Sequence, residues 1–365
     1  MSVETNNIET GNIKANIPKT ENVESKNTES KRDESNNTNL DNTEHEHKEL
    51  QDVDTTFENL CFEAGGAKSI AYIGMLRELY NRGLYDKFIR FSGTSAGSIF
   101  ASLMAMNYSM YEIEQLKYDL DFSSVMTHSC AVTNICNIYR TYGITDIDQL
   151  EKVIKPLIEL KFNADITLAE LYKKTKKELV IIVCNLNQLK PEYLHHATYP
   201  QVKLLDAILA SCHIPFYFKS RQYNFNGTPL YYVDGSVVNN YAIWVYNNMD
   251  NLYMNKLYKT DKFYVNSKTL GLKLLDTNET NTYEIISTTT KISTLFDYVK
   301  TILNTIMIQN ERIFVSDSYI KQTACVYTGD IHTLDFDISI PVRYDIIKRG
   351  ESSMSDFLKK YEYKI

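Results

Sequence analysis

Gly93-Thr94-Ser95-Ala96-Gly97 constrains this chain more than any other stretch. Residues 87–91 before it read as a short β-strand, and residues 96–105 read as a helix. A Gly-x-Ser-x-Gly between strand and helix is a nucleophile elbow, a turn so tight that a side chain at either glycine would collide with neighbouring backbone. Ser95 is then left with its hydroxyl at the helix N-terminus.

The segments around the elbow repeat its grammar. Residues 57–62 alternate like a strand and run into Glu63-Ala64-Gly65-Gly66-Ala67-Lys68-Ser69. An amphipathic helix follows over 70–82, closed by Gly83 in the C′ position. Strand, glycine-rich loop, helix, strand, elbow and helix predict an α/β fold of three layers, a mostly parallel central sheet flanked by helices. Residues 178–184, apolar throughout after Glu178, predict a buried central strand, with 192–197 as a hairpin partner. Further on, 203–211 reads as a helix and 230–233 as a strand ending at Asp234-Gly235. Residues 111–175 read as mostly helical; the segment 146–160 is the best patterned, with a kink or boundary expected at Pro156. Beyond position 248 the chain is rich in Asn, Thr and Tyr. The pattern there gives a helix over 287–310, a strand over 334–338 and a closing helix over 344–361.

Composition separates the N-terminus from the rest. Residues 1–52 carry twelve acidic against six basic residues and no aromatic, and so hold −6 of the chain's net charge of −7. Such a stretch cannot bury enough apolar surface to offset its ordering entropy, and a disordered tail is expected. Residues 53–365 are nearly neutral and read as a single catalytic domain, with a motif core over 57–247 and a helical extension over 248–365. Neither a nucleic-acid footprint nor a strong membrane field is visible in that charge balance. The lysines of 173–177 read as a solvated helix end. The six cysteines have no Cys-x-x-Cys or metal-ligand spacing and read as reduced thiols. With no apolar leader and no apolar run of membrane-spanning length, the expectation is an intracellular protein, soluble or in peripheral contact with a membrane.

A serine hydroxyl needs a base for its proton and donors for the oxyanion that forms on attack. Gly65 and Gly66, after one strand and at the start of a helix, offer amides free of helical pairing, and Ala96 offers a third. Two kinds of base are open. Asp234 ends a strand, read here as parallel to its neighbours, and is followed by a glycine that lets the backbone turn away. A histidine triad of Ser95, Asp234 and His332 in chain order is the alternative; His45, His47, His128, His195, His196 and His213 stand in no evident catalytic context.

In order and spacing, Gly65-Gly66-Ala67-Lys68, Gly93-Thr94-Ser95-Ala96-Gly97, Ala210-Ser211-Cys212-His213-Ile214-Pro215 and Asp234-Gly235 resemble the patatin-like phospholipase family. The resemblance covers about 57–247 and reaches the closing helix at Ile347-Lys348-Arg349-Gly350. It implies hydrolysis of phospholipid or other lipid acyl esters by a Ser-Asp dyad through an acyl-enzyme, without metal or cofactor. Ser95 matches the nucleophile, Asp234 the dyad aspartate, Gly65 and Gly66 the oxyanion glycines, and Lys68 the basic position beside them. Where the family usually has glycine, this chain has Ala64 and Ser69, and Ser236 replaces the usual Gly or Ala. Those departures keep a third reading open, a catalytically degenerate binder of lipid or of a partner protein. Phe216, Tyr217 and Phe218 are candidates for an acyl-chain wall or for ordinary core packing. Partial burial of Asp234 is expected, because a carboxylate is otherwise a weak base toward an alcohol.

Overall fold

The computed structural model describes residues 57–119, 131–247, 265–275, 317–329 and 335–360, with residues 292–294, 298, 301–302, 305–306, 331 and 333 between them. The tail over 1–52, most of the helix over 287–310, and His128 and His332 lie outside the described residues.

The chain enters through strand β1 (Asn59–Phe62) and, after a single 3-10 turn (Gly66–Ile70), forms helix α1 (Ala71–Asn81). Gly83 follows α1 with φ +67, the left-handed position that ends a helix. Strand β2 (Arg90–Thr94) leads through Ser95 into α2 (Ala96–Ala105). Next come α3 (Met110–Asp119), α4 (Ala131–Thr141), the short β3 (Gly143–Thr145), α5 (Asp148–Glu159) and α6 (Leu168–Thr175). A capping box starts α6, with the Thr167 side chain accepting from the Glu170 amide and the Glu170 side chain accepting from the Thr167 amide. Then β4 (Glu178–Asn185) and β5 (Lys190–Leu194) form a hairpin, and α7 (Leu204–Ser211) follows. The order continues with β6 (Phe216–Phe218), β7 (Gln222–Asn224), β8 (Pro229–Asp234), β9 (Thr269–Leu275), β10 (Thr323–Tyr327) and the closing helix Ile340–Lys360.

The main sheet has eight strands, ordered β10-β9-β1-β2-β4-β8-β7, with β5 also paired to β4. From β10 to β4 every pairing is parallel, whereas β4–β5, β4–β8 and β7–β8 are antiparallel. A small parallel ladder joins β3 to β6. Alternation along β4 explains its unbroken apolar run. Leu179, Ile181 and Val183 face the large core with α1, α2, α7 and the closing helix, while Val180 and Ile182 face Ala242, Val245 and Tyr246 on the other side. The closing helix crosses α1 at two glycines. A Cβ at Gly74 would strike the Ile347 carbonyl, and one at Gly350 would strike that of Ala71.

Four expectations are corrected. The extension over 248–365 is not simply helical, because it supplies β9 and β10 to the main sheet. The boundary that Pro156 could have imposed is absent, since helix α5 runs through it to Glu159. Pro156 stands on the exposed side, where water can take up the Lys152 carbonyl that loses its partner. Residues 335–339 form no strand: Phe336 and Ile338 bury themselves against the core without a ladder, and Phe336 packs on Tyr217 with ring centroids 6.3 Å apart. Finally, β8 runs antiparallel to β4, not parallel.

Candidate active site

At the end of β2 the backbone breaks into an unusual conformation. Ser95 has φ 52 and ψ −128, a region that bulky L-residues avoid and that persists only where the surroundings hold it. The two glycines make room for it. A Cβ at Gly93 would meet the Gly97 carbonyl, and one at Gly97 would lie 2.5 Å from the Glu63 carbonyl oxygen and 2.6 Å from that of Phe62. Short hydrogen bonds fasten the turn: Ser98 Oγ donates to the Ser95 carbonyl at 2.6 Å, and Thr94 Oγ1 donates to the Asn239 carbonyl at 3.1 Å.

Asp234 arrives from the opposite direction. Thr94 pairs with Ile182, and Asp234 pairs with Val183, so β2 and the antiparallel β8 end at the same level on the two sides of β4. This head-to-head ending is what brings together two residues 139 positions apart. Ser95 Oγ donates to Asp234 Oδ2 at 2.5 Å. The other oxygen, Oδ1, accepts the Ser236 amide at 2.9 Å, and the Asp234 amide donates to the His213 carbonyl at 2.9 Å. Only 2% of Asp234 is exposed. Burial pushes its carboxyl up to about 6, against the pull of the hydrogen bonds from Ser95 and Ser236.

The glycine loop lies beside the start of α2. Gly66 adopts φ +52, and a Cβ there would strike the Thr333 carbonyl. Neither Ala64 nor Ser69 has a positive φ, so replacing the usual glycines leaves the turn intact at both positions. The amides of Gly65, Gly66 and Ala96 have no acceptor among the described residues, as expected at helix starts. The Gly65 carbonyl is held by the Lys68 amide at 3.1 Å, and Lys68 itself is buried. Among the described residues no group of three or more His, Cys, Asp or Glu is placed to hold a metal ion.

The sequence pattern of the patatin-like phospholipase family matches residues 60–245. The chain belongs to the patatin-like phospholipase family. Its relatives include "Uncharacterized protein R571" of Acanthamoeba polyphaga mimivirus, 23% identical over 84% of this chain and 95% of that protein. "Probable lipid hydrolase 463L" of Invertebrate iridescent virus 6 is 27% identical over 51% of this chain and 62% of its own length. "Triacylglycerol lipase ptl3" of Schizosaccharomyces pombe is 34% identical over 44% of this chain and 33% of that protein. The chain therefore spans less than two thirds of the last two. Among solved structures, VipD from Legionella pneumophila superposes with a TM-score of 0.52 at 15% identity, covering 84% of this chain and 67% of that one, a likeness of fold.

Among the described residues, no histidine hydrogen-bonds to the Ser95 hydroxyl, whose partner is Asp234. His213 gives its carbonyl to Asp234, but its ring sits 3.2 Å from the Tyr223 hydroxyl, and burial holds the imidazole down at about 4. His195 lies 3.3 Å from Glu178 at the start of β4, and His196 stacks on Tyr172, both at the end of β4 away from Ser95. Tyr217 and Phe218 are core residues, whereas Phe216 is exposed. No helix among the described residues is long and apolar enough to cross a membrane.

The patatin-like motif around residues 210–215 also holds a residue whose part the sequence did not disclose. Ser211 Oγ accepts the Ser95 amide at 2.9 Å and donates to the Ile182 carbonyl at 2.7 Å, tying the elbow to the middle of β4. Removing a hydroxyl that satisfies two buried groups leaves both unpaired. Ser211→Ala is expected to lower unfolding free energy by about 1–3 kcal/mol in urea titrations. It is also expected to reduce turnover, since the strained conformation at Ser95 loses one of its restraints.

Proposed function

We propose that the chain hydrolyses acyl esters of lipids, in the manner of a phospholipase A, with Ser95 as nucleophile and Asp234 as its base. The observation that carries this reading is the 2.5 Å hydrogen bond from the Ser95 hydroxyl to the Asp234 carboxylate at the elbow. A carboxylate stands where a triad would place imidazole, and this favours a dyad over a triad. Its proton affinity, raised by burial, suits it better to take the proton of an alcohol.

In this mechanism Ser95 Oγ attacks the ester carbonyl carbon while its proton passes to Asp234. Negative charge collects on the carbonyl oxygen, which the amides of Gly65, Gly66 and Ala96 are free to receive, with Lys68 beside them. As the intermediate collapses, Asp234 returns the proton to the departing alcohol oxygen. A water then gives its proton to the same carboxylate, attacks the acyl carbon and releases the fatty acid, restoring the serine. The lipid-hydrolase and triacylglycerol-lipase names of the relatives support a lipid substrate. Exposed Phe216, next after the Pro215 that follows Ile214, is the side chain we assign to contact with acyl chains at a lipid surface.

The decisive test joins an activity panel to active-site labelling. A fluorophosphonate should modify the folded full-length protein once, with the adduct on the peptide containing Ser95. Phospholipid vesicles, emulsified triacylglycerol and short-chain esters should then rank the substrates. An inert Ser95 in folded protein, with no turnover of any of the three, would favour the non-catalytic binder and remove the proposal.

A further inference from the structure

The last residue of the chain before the oxyanion loop is an acid with no place in the chemistry above. Glu63 follows β1 directly and is 2% exposed. Withdrawing a carboxylate from water is costly unless it is paired and its oxygens are satisfied. Both oxygens of Glu63 are satisfied, and by distant parts of the chain. Oε2 accepts the Leu274 backbone amide at 2.6 Å. Oε1 accepts the Lys273 ammonium at 2.9 Å and the Asn240 side-chain amide at 3.0 Å.

The main chain is gripped at the same point. The Glu63 amide donates to the Leu272 carbonyl at 3.1 Å, the Glu63 carbonyl accepts the Tyr72 hydroxyl at 2.7 Å, and the Ala64 amide donates to the Asn240 carbonyl at 3.0 Å. Asn240 thus holds both the side chain of Glu63 and the backbone of the next residue. Two further contacts run from this knot into the site. The Leu274 side chain fills the space where a Cβ of Gly65 would stand, and the Glu63 carbonyl is one of the two that leave room only for glycine at position 97, next to Ala96. Strand β9, the turn beyond Asp234, and helices α1 and α2 therefore all set their distance from the oxyanion loop through one residue.

For stability alone, an apolar residue filling the same space would serve as well as a buried ion pair. What an ion pair with fixed hydrogen-bond directions adds is a defined position. We propose that Glu63, with Lys273 and Asn240, is a positioning cluster that fixes the Gly65 and Gly66 amides where the oxyanion of the Ser95 reaction forms. The inference rests on the reading of Ser95 as nucleophile. It gives β9, which contributes nothing to the dyad, a part in turnover.

The test compares the full-length wild type with Glu63→Gln and with the double variant Glu63→Gln/Lys273→Met, using Ser95→Ala as the reference. Steady-state hydrolysis of a short-chain ester, thermal melting, and inhibition by an alkyl trifluoromethyl ketone, whose serine adduct places an oxyanion in the hole, are measured on each. A misplaced donor costs up to about 100-fold, so Glu63→Gln should lose about 10- to 100-fold in kcat with KM changed less than about threefold. The inhibition constant of the ketone should rise by the same factor as kcat falls. The double variant, which removes both charges together, should melt near the wild type yet keep the low kcat and the weak ketone binding.

A double variant that recovers wild-type kcat and ketone affinity would overturn the proposal, leaving Glu63 a structural ion pair. So would a folded Glu63→Gln with unchanged kcat. If Glu63→Gln fails to fold, the double variant carries the same comparison. If Ser95→Ala itself turns over at the wild-type rate, the nucleophile reading fails, and the positioning role falls with it.

Discussion

Ser95→Ala is expected to abolish ester hydrolysis, with kcat falling by about 10⁴- to 10⁶-fold, while the protein stays folded. Removing a nucleophile deletes the covalent route entirely, and what survives is whatever binding and oxyanion donors can do for attack by water. The fold should tolerate the change, since φ 52 at this position is held by Gly93, Gly97 and the hydrogen bonds of Ser98 and Ser211 and not by the hydroxyl. The visible structural cost is one hydrogen bond to Asp234, on the order of 1–2 kcal/mol. Asp234 loses one of the bonds that stabilise its charged form, so its proton affinity should rise further. Steady-state kinetics on a short-chain ester, beside circular dichroism and thermal melting, separate the two effects. Turnover above about 1% of wild type in well-folded protein would mean that another group attacks the ester.

The site was legible in the sequence where its logic is local. The elbow could be read because its constraint is steric and confined to five consecutive residues: the glycines at 93 and 97 are demanded by carbonyls against which only a hydrogen fits. The Gly65-Gly66 loop and the Asp234-Gly235 turn could be read for similar reasons, as short patterns at strand ends. The long-range supports could not. Ser211 looks like any small residue ending a helix until Ile182 and the Ser95 amide appear on either side of its hydroxyl. Glu63 meets its partners Asn240 and Lys273 across separations of 177 and 210 positions.

The same distinction holds for the fold. Strand β4 announces itself because both of its faces are buried, and a continuous apolar run of that length has few alternatives. Strand β9 does not. Its Gly271 interrupts the apolar pattern and is required because the Tyr241 ring crosses the strand where a Cβ would be. The alternation at 334–338 points to a strand, but Phe336 and Ile338 obtain the same burial without pairing, and β10 takes the sheet edge instead. The sequence leaves the direction of β8 open because an Asp-Gly at a strand end is equally at home in either orientation. Only the register against β4 reveals that β2 and β8 stop facing one another.

Asp234→Asn follows from that register and should cost about 10³- to 10⁴-fold in kcat/KM at pH 8, with a diagnostic loss of pH dependence. In the wild type the base is the ionised carboxylate, whose burial has raised its pKa to about 6, so kcat/KM should climb through pH 6 and level off above it. Asparagine does not titrate, and the residual rate of the variant should be flat over that range. Stability should move the other way. Asp234 takes up a proton more readily in the folded chain than in the unfolded one, so its contribution to stability is complete below pH 4 and is lost as the pH rises through about 6. Asparagine keeps an oxygen for the Ser236 amide and can offer its own amide to Ser95 Oγ, while carrying no buried charge. The unfolding free energy of the variant relative to wild type should therefore increase between pH 4 and pH 8, by about 1–3 kcal/mol. Urea titrations at both values read that change directly. An acid limb near pH 6 that persists in Asp234→Asn would assign the titration to a different group and deprive the elbow serine of its base.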